Sequence, residues 1–516
     1  MSLVGLDILH LHMKSSSSSR FFQLALAIWF ITIAIVLLGR ILGPSDLGQN
    51  LDQSKTIAFT LDMVNNNQWI LPRDSLGELT RKPPMVNWVG APIVAIGFHN
   101  ELALKLPALL SGLLITFTTF FAARYLFLKL EDSDDPAEAA IGANATALAA
   151  FAGAAWLASP SAIKHIYFMR PDILFTALLV VAWFLSIRLF NTDRPQRVRS
   201  LAFGIWALTA AAILTKGPLA AFIPIYLILH ILVLIPKGSR KEAIKRTHWK
   251  WGIPIMLIPP ALWFIAAYQL NPEHVREALL GEELGSRVGA GGASGFIEAL
   301  TRNPGFFVER FVPWSLIAIG AIVIPPSAKI RTHPLAPASL WVLVVLGTTT
   351  LASMRAGSYI MPAYPAAAIL AIYGIYRLFA TKANKFPKRA ITILVLFVLV
   401  SASLITLRES TMSRGAKNST GEHIKGFAAK ANAQVQQDSV RYAQIGDLPI
   451  ASLMGRHHNG EPGSQTAHAW IIQPTKIDPS AVPVLVSESL IGHDPISGEP
   501  NNESFTLGLY RLIEQP

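Results

Sequence analysis

The chain contains no cysteine among its 516 residues. Disulfides, thiolate nucleophiles and cysteine-based metal sites are therefore excluded. Charge is scarce as well: Asp, Glu, Lys and Arg make up 15% of the residues, where soluble domains carry about 25%. Hydrophobic residues make up 52%. A soluble protein of this length would divide into roughly three or four domains. The composition points instead to one large membrane block. The charge that is present leans basic, 44 Lys and Arg against 32 Asp and Glu, a net +12. In a membrane protein such an excess belongs first to cytoplasmic loops. It is not read as a nucleic-acid footprint, and no nucleic-acid partner is expected.

What is abundant is apolar sequence in long runs. Eleven runs approach the length a spanning helix needs: 22–42, 104–127, 139–159, 172–190, 200–215, 218–236, 252–270, 306–325, 336–353, 360–379 and 388–407. An all-α polytopic membrane protein with about 11–13 transmembrane helices is expected. The stretch 84–98 is too short to span comfortably and reads as an interfacial or re-entrant helix. Residues 1–21 read as an uncleaved cytoplasmic stub, because the apolar run after Arg20 is too long for a signal peptide and no small-residue cleavage site follows.

Orientation follows from three basic connections: Arg188 to Arg199, Lys237 to Lys250, and Arg377 to Arg389. With the N-terminus inside and eleven crossings, all three fall on the cytoplasmic side. The acidic connection Glu131, Asp132, Asp134, Asp135 and Glu138 falls there too, but acidic residues weigh little in that rule. The loops 43–103 and 271–305 and the tail 408–516 are then outside, around a membrane domain of residues 22–407. The tail changes character. Residues 421–435 read as an amphipathic helix, and VRYAQI, HAWIIQ, VPVLVS and SFTLGLYRLI read as short strands, so a small C-terminal extracytoplasmic α/β domain is expected.

The polar residues that stand out lie where spans meet the outer surface. Carriers and flippases place theirs near the midplane, and that alternative predicts charged or broken helices deep in the spans. In the first outer loop, Ile57, Leu61 and Val64 mark a helix lying on the membrane, with Asp52 at its start. Asp52 serves there as an N-cap, as a carboxylate that takes a proton from an acceptor, or as both. Lys82 precedes Pro83-Pro84 and reads as a snorkelling anchor or a phosphate ligand. Arg170-Pro171-Asp172 opens a span, with Asp172 as cap, partner of Arg170 or site residue. Lys216 lies at a break marked by Gly217-Pro218, where a cation can meet an anionic headgroup. Glu283 and Arg287 are spaced for a helical ion pair, before glycines 289, 291, 292 and 295 that suit either a lid or a solvated loop. Arg355 is a further cation on that face, and Tyr359 suits stacking on a sugar or bonding a phosphate, or a plain interfacial belt. Cations and carboxylates gathered at one interface suit a phosphate-linked lipid donor and a base.

The segment from Asp52 to Arg73, with Asp62-Met63, Trp69 and Pro72-Arg73, resembles the first extracytoplasmic loop of the polyprenol-phosphate-sugar glycosyltransferases. This GT-C group includes the protein O-mannosyltransferases and the aminoarabinose transferase that modifies lipid A. KPPMVNW, NELALKLP, RPD (170–172), LTKGP (214–218), FVPWS (311–315) and YIMPAYPAAAIL (359–370) follow in that family's order. The resemblance covers roughly residues 20–380. It implies a bacterial inner-membrane enzyme with its active site on the periplasmic side. The reaction would be inverting transfer from an undecaprenyl-phosphate sugar to an outer-leaflet lipid, glycan or protein. Matched position by position, the resemblance carries over Asp52, Lys82, Asp172, Lys216 and Arg355. With the residue pattern above, Asp52 and Asp172 are expected to be catalytic, Lys82, Arg170, Lys216 and Arg355 to bind the donor phosphate, and Tyr359, Glu283 and Arg287 to contact substrate. Four positions depart from the pattern, among them Arg355, which falls where a lysine usually lies. Gln53 replaces the second acid of an Asp-Glu pair, Arg81 replaces a Glu that can help hold a metal in relatives, and Lys105 stands where Arg is usual. On that basis no metal ligand is assigned and no cofactor is certain, a divalent metal stays open, and an altered acceptor or a catalytically altered member of the fold is the alternative.

Overall fold

The computed structural model describes residues 16–43, 51–74, 77–96, 101–284, 292–323, 332–352, 356–379, 388–412, 415–436, 440–442, 470–475, 482–487, 490–493 and 500–511. The chain is a multi-pass membrane protein of predominantly helical structure. Nine helices carry the first half: α1 (Ser16–Ile41), α2 (Leu51–Asn65), α3 (Met85–Ala95), α4 (Glu101–Leu128), α5 (Pro136–Ala143), α6 (Ala145–Leu157), α7 (Pro160–His165), α8 (Pro171–Leu189) and α9 (Pro195–Lys216). Trp249–Leu270, Gly292–Arg310, Ala336–Leu351, Tyr364–Phe379 and Lys388–Leu407 are the longer helices that follow.

Among the described residues seven helices are long and apolar enough to cross a membrane, or eight if the bent pair α5–α6 is one span. The eleven apolar runs exceed this count by helix length because several of them form broken or shorter helices. Runs 200–215 and 218–236 form one stretch, Pro195–Leu234, interrupted by the 3-10 turn Gly217–Ala221. Run 139–159 is bent by 80° at Asn144. Run 336–353 gives the shorter helix Ala336–Leu351, and in run 306–325 the helix Gly292–Arg310 ends before the ten-residue helix Trp314–Val323 begins. The 84–98 stretch is the short helix α3.

α6 is the centre of the bundle. Every residue from Ala147 to Leu157 is buried, and seven of those eleven are Ala or Gly. Small side chains let helices approach closely where no hydrophobic drive separates helix from lipid. α1, α4 and Tyr364–Phe379 pack around it. A second close approach lies at Gly252, where a Cβ would fall 2.0 Å from Trp206 Nε1 of α9.

The far end of the bundle explains the acidic loop. Arg377 pairs with Asp135 at 2.7 Å and with Glu138 at 2.6 Å, and Glu138 also accepts from the Tyr373 hydroxyl at 3.0 Å. Asp135 in addition caps α5 by accepting the Ala137 N–H. Two of the five acids thus tie the α4–α5 connection to the end of Tyr364–Phe379.

Two expectations are corrected. The apolar stripe of α2 does not lie on a membrane surface. Ile57 and Leu61 are buried against Val86 and Val94 of α3, Met169 and Leu174, since α3 and α8 offer apolar faces of their own. The segment 271–305 is not a plain loop: Pro272–His274, Val275–Leu284 and Gly292–Arg310 are helical. The lid-like glycines 289 and 291 lie outside the described residues.

In the tail, helix Gly415–Val435 precedes strands β1 (Val440–Tyr442), β2 (Trp470–Pro474), β3 (Leu485–Val486), β4 (Leu490–His493), β5 (Pro500–Phe505) and β6 (Leu507–Arg511). A four-stranded sheet has the order β1-β2-β6-β3, with β1 parallel to β2 and the other pairs antiparallel; β4 and β5 form a separate hairpin pair. β1, β3, β6 and all of β2 but Pro474 fall within the four segments read as strands, and β4 and most of β5 do not.

Gly217 fixes the break after α9. Its backbone lies at φ 67°, ψ −142°, a region that side chains disfavour, and nothing stands within 4 Å of an added Cβ. Gly217→Ala is therefore expected to cost about 1–3 kcal/mol through the backbone alone. Chemical or thermal unfolding of the purified full chain checks this. No loss of stability would mean that the turn relaxes freely.

Candidate active site

The start of α2, the segment Arg81–Pro83, the start of α8, the end of α9 and the turn Gly217–Ala221 come together around one cavity. Pro171 is the first residue of α8, and the residue before a proline is held out of the helical region, so Arg170 lies extended at φ −138°, ψ 153°. The turn leading to it is anchored from two sides. Lys105 is fully buried, sits 4.1 Å from the centre of the Tyr167 ring and pairs with Glu101 at 3.1 Å. From α2, the Gln53 side-chain carbonyl accepts the Met169 N–H at 3.1 Å. Glu101 also meets Lys425 of the Gly415–Val435 helix at 3.1 Å.

These anchors bring five predicted residues into one alternating ion chain. Lys82 Nζ lies 2.7 Å from Asp52 Oδ1, and Arg170 Nη2 lies 2.8 Å from Asp52 Oδ2. Arg170 Nε lies 3.3 Å from Asp172 Oδ2, and Lys216 Nζ lies 2.5 Å from Asp172 Oδ1. Lys216 also sits 4.3 Å from the centre of the Tyr359 ring. The Lys82–Asp52 end is the more exposed, at 34% and 42% of the side chain, and the Asp172–Lys216 end is buried, at 2% and 9%. Asp52 lies in the first turn of α2, where the helix dipole favours a carboxylate. Both of its oxygens are spent on Lys82 and Arg170.

The chain borders a cavity of about 460 Å³. Beyond the charged rim, its walls include Leu219, Trp263, Phe264, Leu279 and Leu280. Four cations, Arg81, Lys82, Arg170 and Lys216, face it against two carboxylates, Asp52 and Asp172. Buried ion pairs do little for stability, because desolvation offsets their attraction. A chain of five charges with one cation in excess, set against apolar walls, is instead suited to a ligand with an anionic head and a hydrocarbon body. Among the described residues no group of three or more His, Asp and Glu could hold a metal ion.

Burial works to raise the pKa of Asp52, but Lys82 and then Arg170 outweigh it and hold the carboxyl below its ordinary range. A carboxyl depressed in the folded state stabilises at pH above its unfolded value of about 3.9 and loses that contribution as pH falls through the folded value. The stability difference between the parent and Asp52→Asn is therefore expected to be equal at pH 8 and pH 5. It should shrink only below about pH 4. Melting curves of the two proteins across that range check it, and a difference that changes between pH 7 and 5 would show a raised pKa instead.

Tyr359 lines the cavity. Glu283 falls in the helical segment Val275–Leu284, but its side chain, like Arg287 and Arg355, lies outside the described residues. The apolar walls carried no sequence signal, since Trp263 reads like any core residue of a span and Leu279 like any apolar residue of the loop that follows it.

No protein-family model matches the chain. It is 23% identical over 361 residues to the undecaprenyl phosphate-alpha-4-amino-4-deoxy-L-arabinose arabinosyl transferase of Shewanella sediminis, covering 69% of this chain and 61% of that protein. It is 26% identical over 346 residues to an uncharacterized protein of Aquifex aeolicus, covering 63% and 60%. The chain thus spans about three fifths of the length of these curated relatives. Among solved structures, ArnT from Cupriavidus metallidurans bound to undecaprenyl phosphate superposes with a TM-score of 0.65 at 17% identity, over 95% of this chain and 97% of that one. The oligosaccharyltransferase AglB from Archaeoglobus fulgidus, in complex with an inhibitory peptide and a dolichol-phosphate, does so with a TM-score of 0.50 at 12% identity, over 85% and 64%. The chain is a membrane protein of the GT-C fold. Within that fold class it resembles ArnT over nearly the whole length of both chains.

Proposed function

We propose that the protein transfers a sugar from a polyprenyl-phosphate donor, undecaprenyl phosphate in a bacterial envelope, to an acceptor on the outer face of the inner membrane. The observation that carries this reading is the ion chain Lys82–Asp52–Arg170–Asp172–Lys216 at the rim of an apolar cavity. The similarity to an arabinosyl transferase and to an ArnT structure bound to undecaprenyl phosphate supports it. The three basic connections support the orientation, and residues 408–516 then form a domain on the same side as the site.

In this mechanism the donor phosphate takes hydrogen bonds from Lys82, Arg170 and Lys216, and its hydrocarbon chain lies along Trp263, Phe264 and Leu279. The acceptor oxygen attacks the anomeric carbon from the side opposite the phosphate, inverting that centre. The bond from that carbon to the phosphate oxygen breaks, and polyprenyl phosphate leaves with the electron pair. A phosphate is a good leaving group and needs no general acid. Asp52 receives the acceptor proton. In the free protein its two cations make it a weak base; once the donor phosphate draws Lys82 and Arg170 to itself, Asp52 becomes more basic. Donor binding thereby arms the base. Asp172 keeps Arg170 and Lys216 in place, and Tyr359 stacks beside Lys216 at the sugar.

The test is to incubate the purified full chain with a panel of polyprenyl-phosphate sugars and candidate acceptors and to measure release of polyprenyl phosphate. Release that depends on the acceptor is the expected result. No release from any donor would overturn the reading.

A further inference from the structure

A second cavity, of about 260 Å³, reaches Asp52 from the side of α2 and the turn around the Arg73–Leu79 bridge. It shares Asp52, Arg81, Lys82, Pro83 and Pro171 with the larger one. The two differ in charge. In the first, the described walls carry four cations and two carboxylates. In the second, Lys55, Arg81 and Lys82 are matched by Asp52, Asp74 and Glu78. Lys55 sits between its acids, 3.5 Å from Asp74 and 3.1 Å from Glu78. Thr56, Thr80 and Asn87 add uncharged polar groups to these walls. One cavity is cationic and partly apolar; the other is balanced and rich in both donors and acceptors.

We infer that the second cavity seats the acceptor and that the acceptor presents a neutral saccharide hydroxyl rather than a phosphate. This rests on the glycosyl-transfer reading and names its acceptor class. A hydroxyl needs a base, and Asp52 is the carboxylate that both cavities share. Its proton passes to Asp52 as its oxygen bonds to the anomeric carbon, and the electrons of the broken bond leave on the donor phosphate. Neighbouring hydroxyls both donate and accept, which a surface of alternating carboxylates and ammonium groups satisfies. A phosphate acceptor would instead face Asp74 and Glu78, and would share Lys82 with the donor's own phosphate, with no cationic surplus to hold it.

The absence of cysteine makes a direct test simple, because Glu78→Cys introduces a single thiol at a half-exposed position of this cavity. The full chain is labelled with a maleimide in the presence of a methyl glycoside or of the matching sugar phosphate. Protection follows occupancy as 1 + [L]/Kd, so the glycoside is expected to slow labelling about fivefold at roughly four times its Kd. The sugar phosphate at equal concentration and ionic strength should leave the rate unchanged. The substitution removes a carboxylate and so favours the phosphate, which makes the expected ranking harder to obtain. No protection by any glycoside, or equal or better protection by the phosphate, overturns the inference. Failure of the transfer reading itself shows separately, as absence of polyprenyl phosphate release from the parent protein with every acceptor, while the labelling result stands on its own.

Discussion

Asp52→Asn is expected to lower the transfer rate by about 10²–10⁴-fold, the usual contribution of a positioned base. Asn keeps the size of Asp and loses both the negative charge and the proton acceptor. Lys82 and Arg170 then have no competing carboxylate between them, so the donor phosphate should bind at least as well as in the parent. The effect falls on kcat, with the KM for donor unchanged or lower. A structural role would instead raise KM or lower the yield of folded protein. The pH profile separates the two further. The acid limb of kcat/KM for the donor reports the free protein, in which Asp52 is depressed, whereas that of kcat reports the complex. The kcat limb should lie at the higher pH, because the bound phosphate has drawn the cations away. An Asp52→Asn variant that transfers as well as the parent contradicts the base role.

Lys216→Met is expected to weaken donor binding and to destabilise the fold, for two different reasons. Removing a charged hydrogen-bond donor from the phosphate costs about 1.5–3 kcal/mol, roughly a 10–150-fold rise in donor Kd. Within the protein, Asp172 is left buried with Arg170 as its remaining ion-pair partner, and breaking such a pair costs about 3 kcal/mol. The double variant Lys216→Met/Asp172→Asn sorts the effects. It removes the stranded carboxylate and should recover most of the stability, while the affinity for polyprenyl phosphate stays low. If affinity returns together with stability, Lys216 is a support for Asp172 and not a phosphate ligand.

Much of this site was legible in the sequence because charge is costly in apolar surroundings. Arg170, Asp172 and Lys216 stand out at the ends of runs that otherwise contain almost none, and Lys82 stands out before two prolines. Their pairing was not legible. Asp52 and Arg170 are 118 positions apart, and only the turn anchored by Gln53 and Lys105 sets them at 2.8 Å. Gln53 was marked as a departure, and its neutral amide proves to be a hydrogen-bond acceptor joining α2 to that turn. The cavity walls were invisible for a related reason: Trp263 and Phe264 satisfy the same hydropathy whether they face lipid, core or ligand. The membrane fold was legible as a class, and so was the break at Gly217; the 80° bend at Asn144 was not, because the apolar run continues through it. The acids of the 131–138 connection showed no purpose until Arg377, more than 200 positions later, came back to Asp135 and Glu138.

The central claim is that the ion chain receives the phosphate of a polyprenyl lipid in the larger cavity. A structure of the full chain with undecaprenyl phosphate bound tests it most directly. The expected result is a phosphate within hydrogen-bonding distance of Lys82, Arg170 and Lys216, with the Asp52 contacts to Lys82 and Arg170 lengthened and the hydrocarbon chain against Trp263, Phe264 and Leu279. A lipid phosphate found elsewhere, with the five-membered ion chain undisturbed, would contradict it.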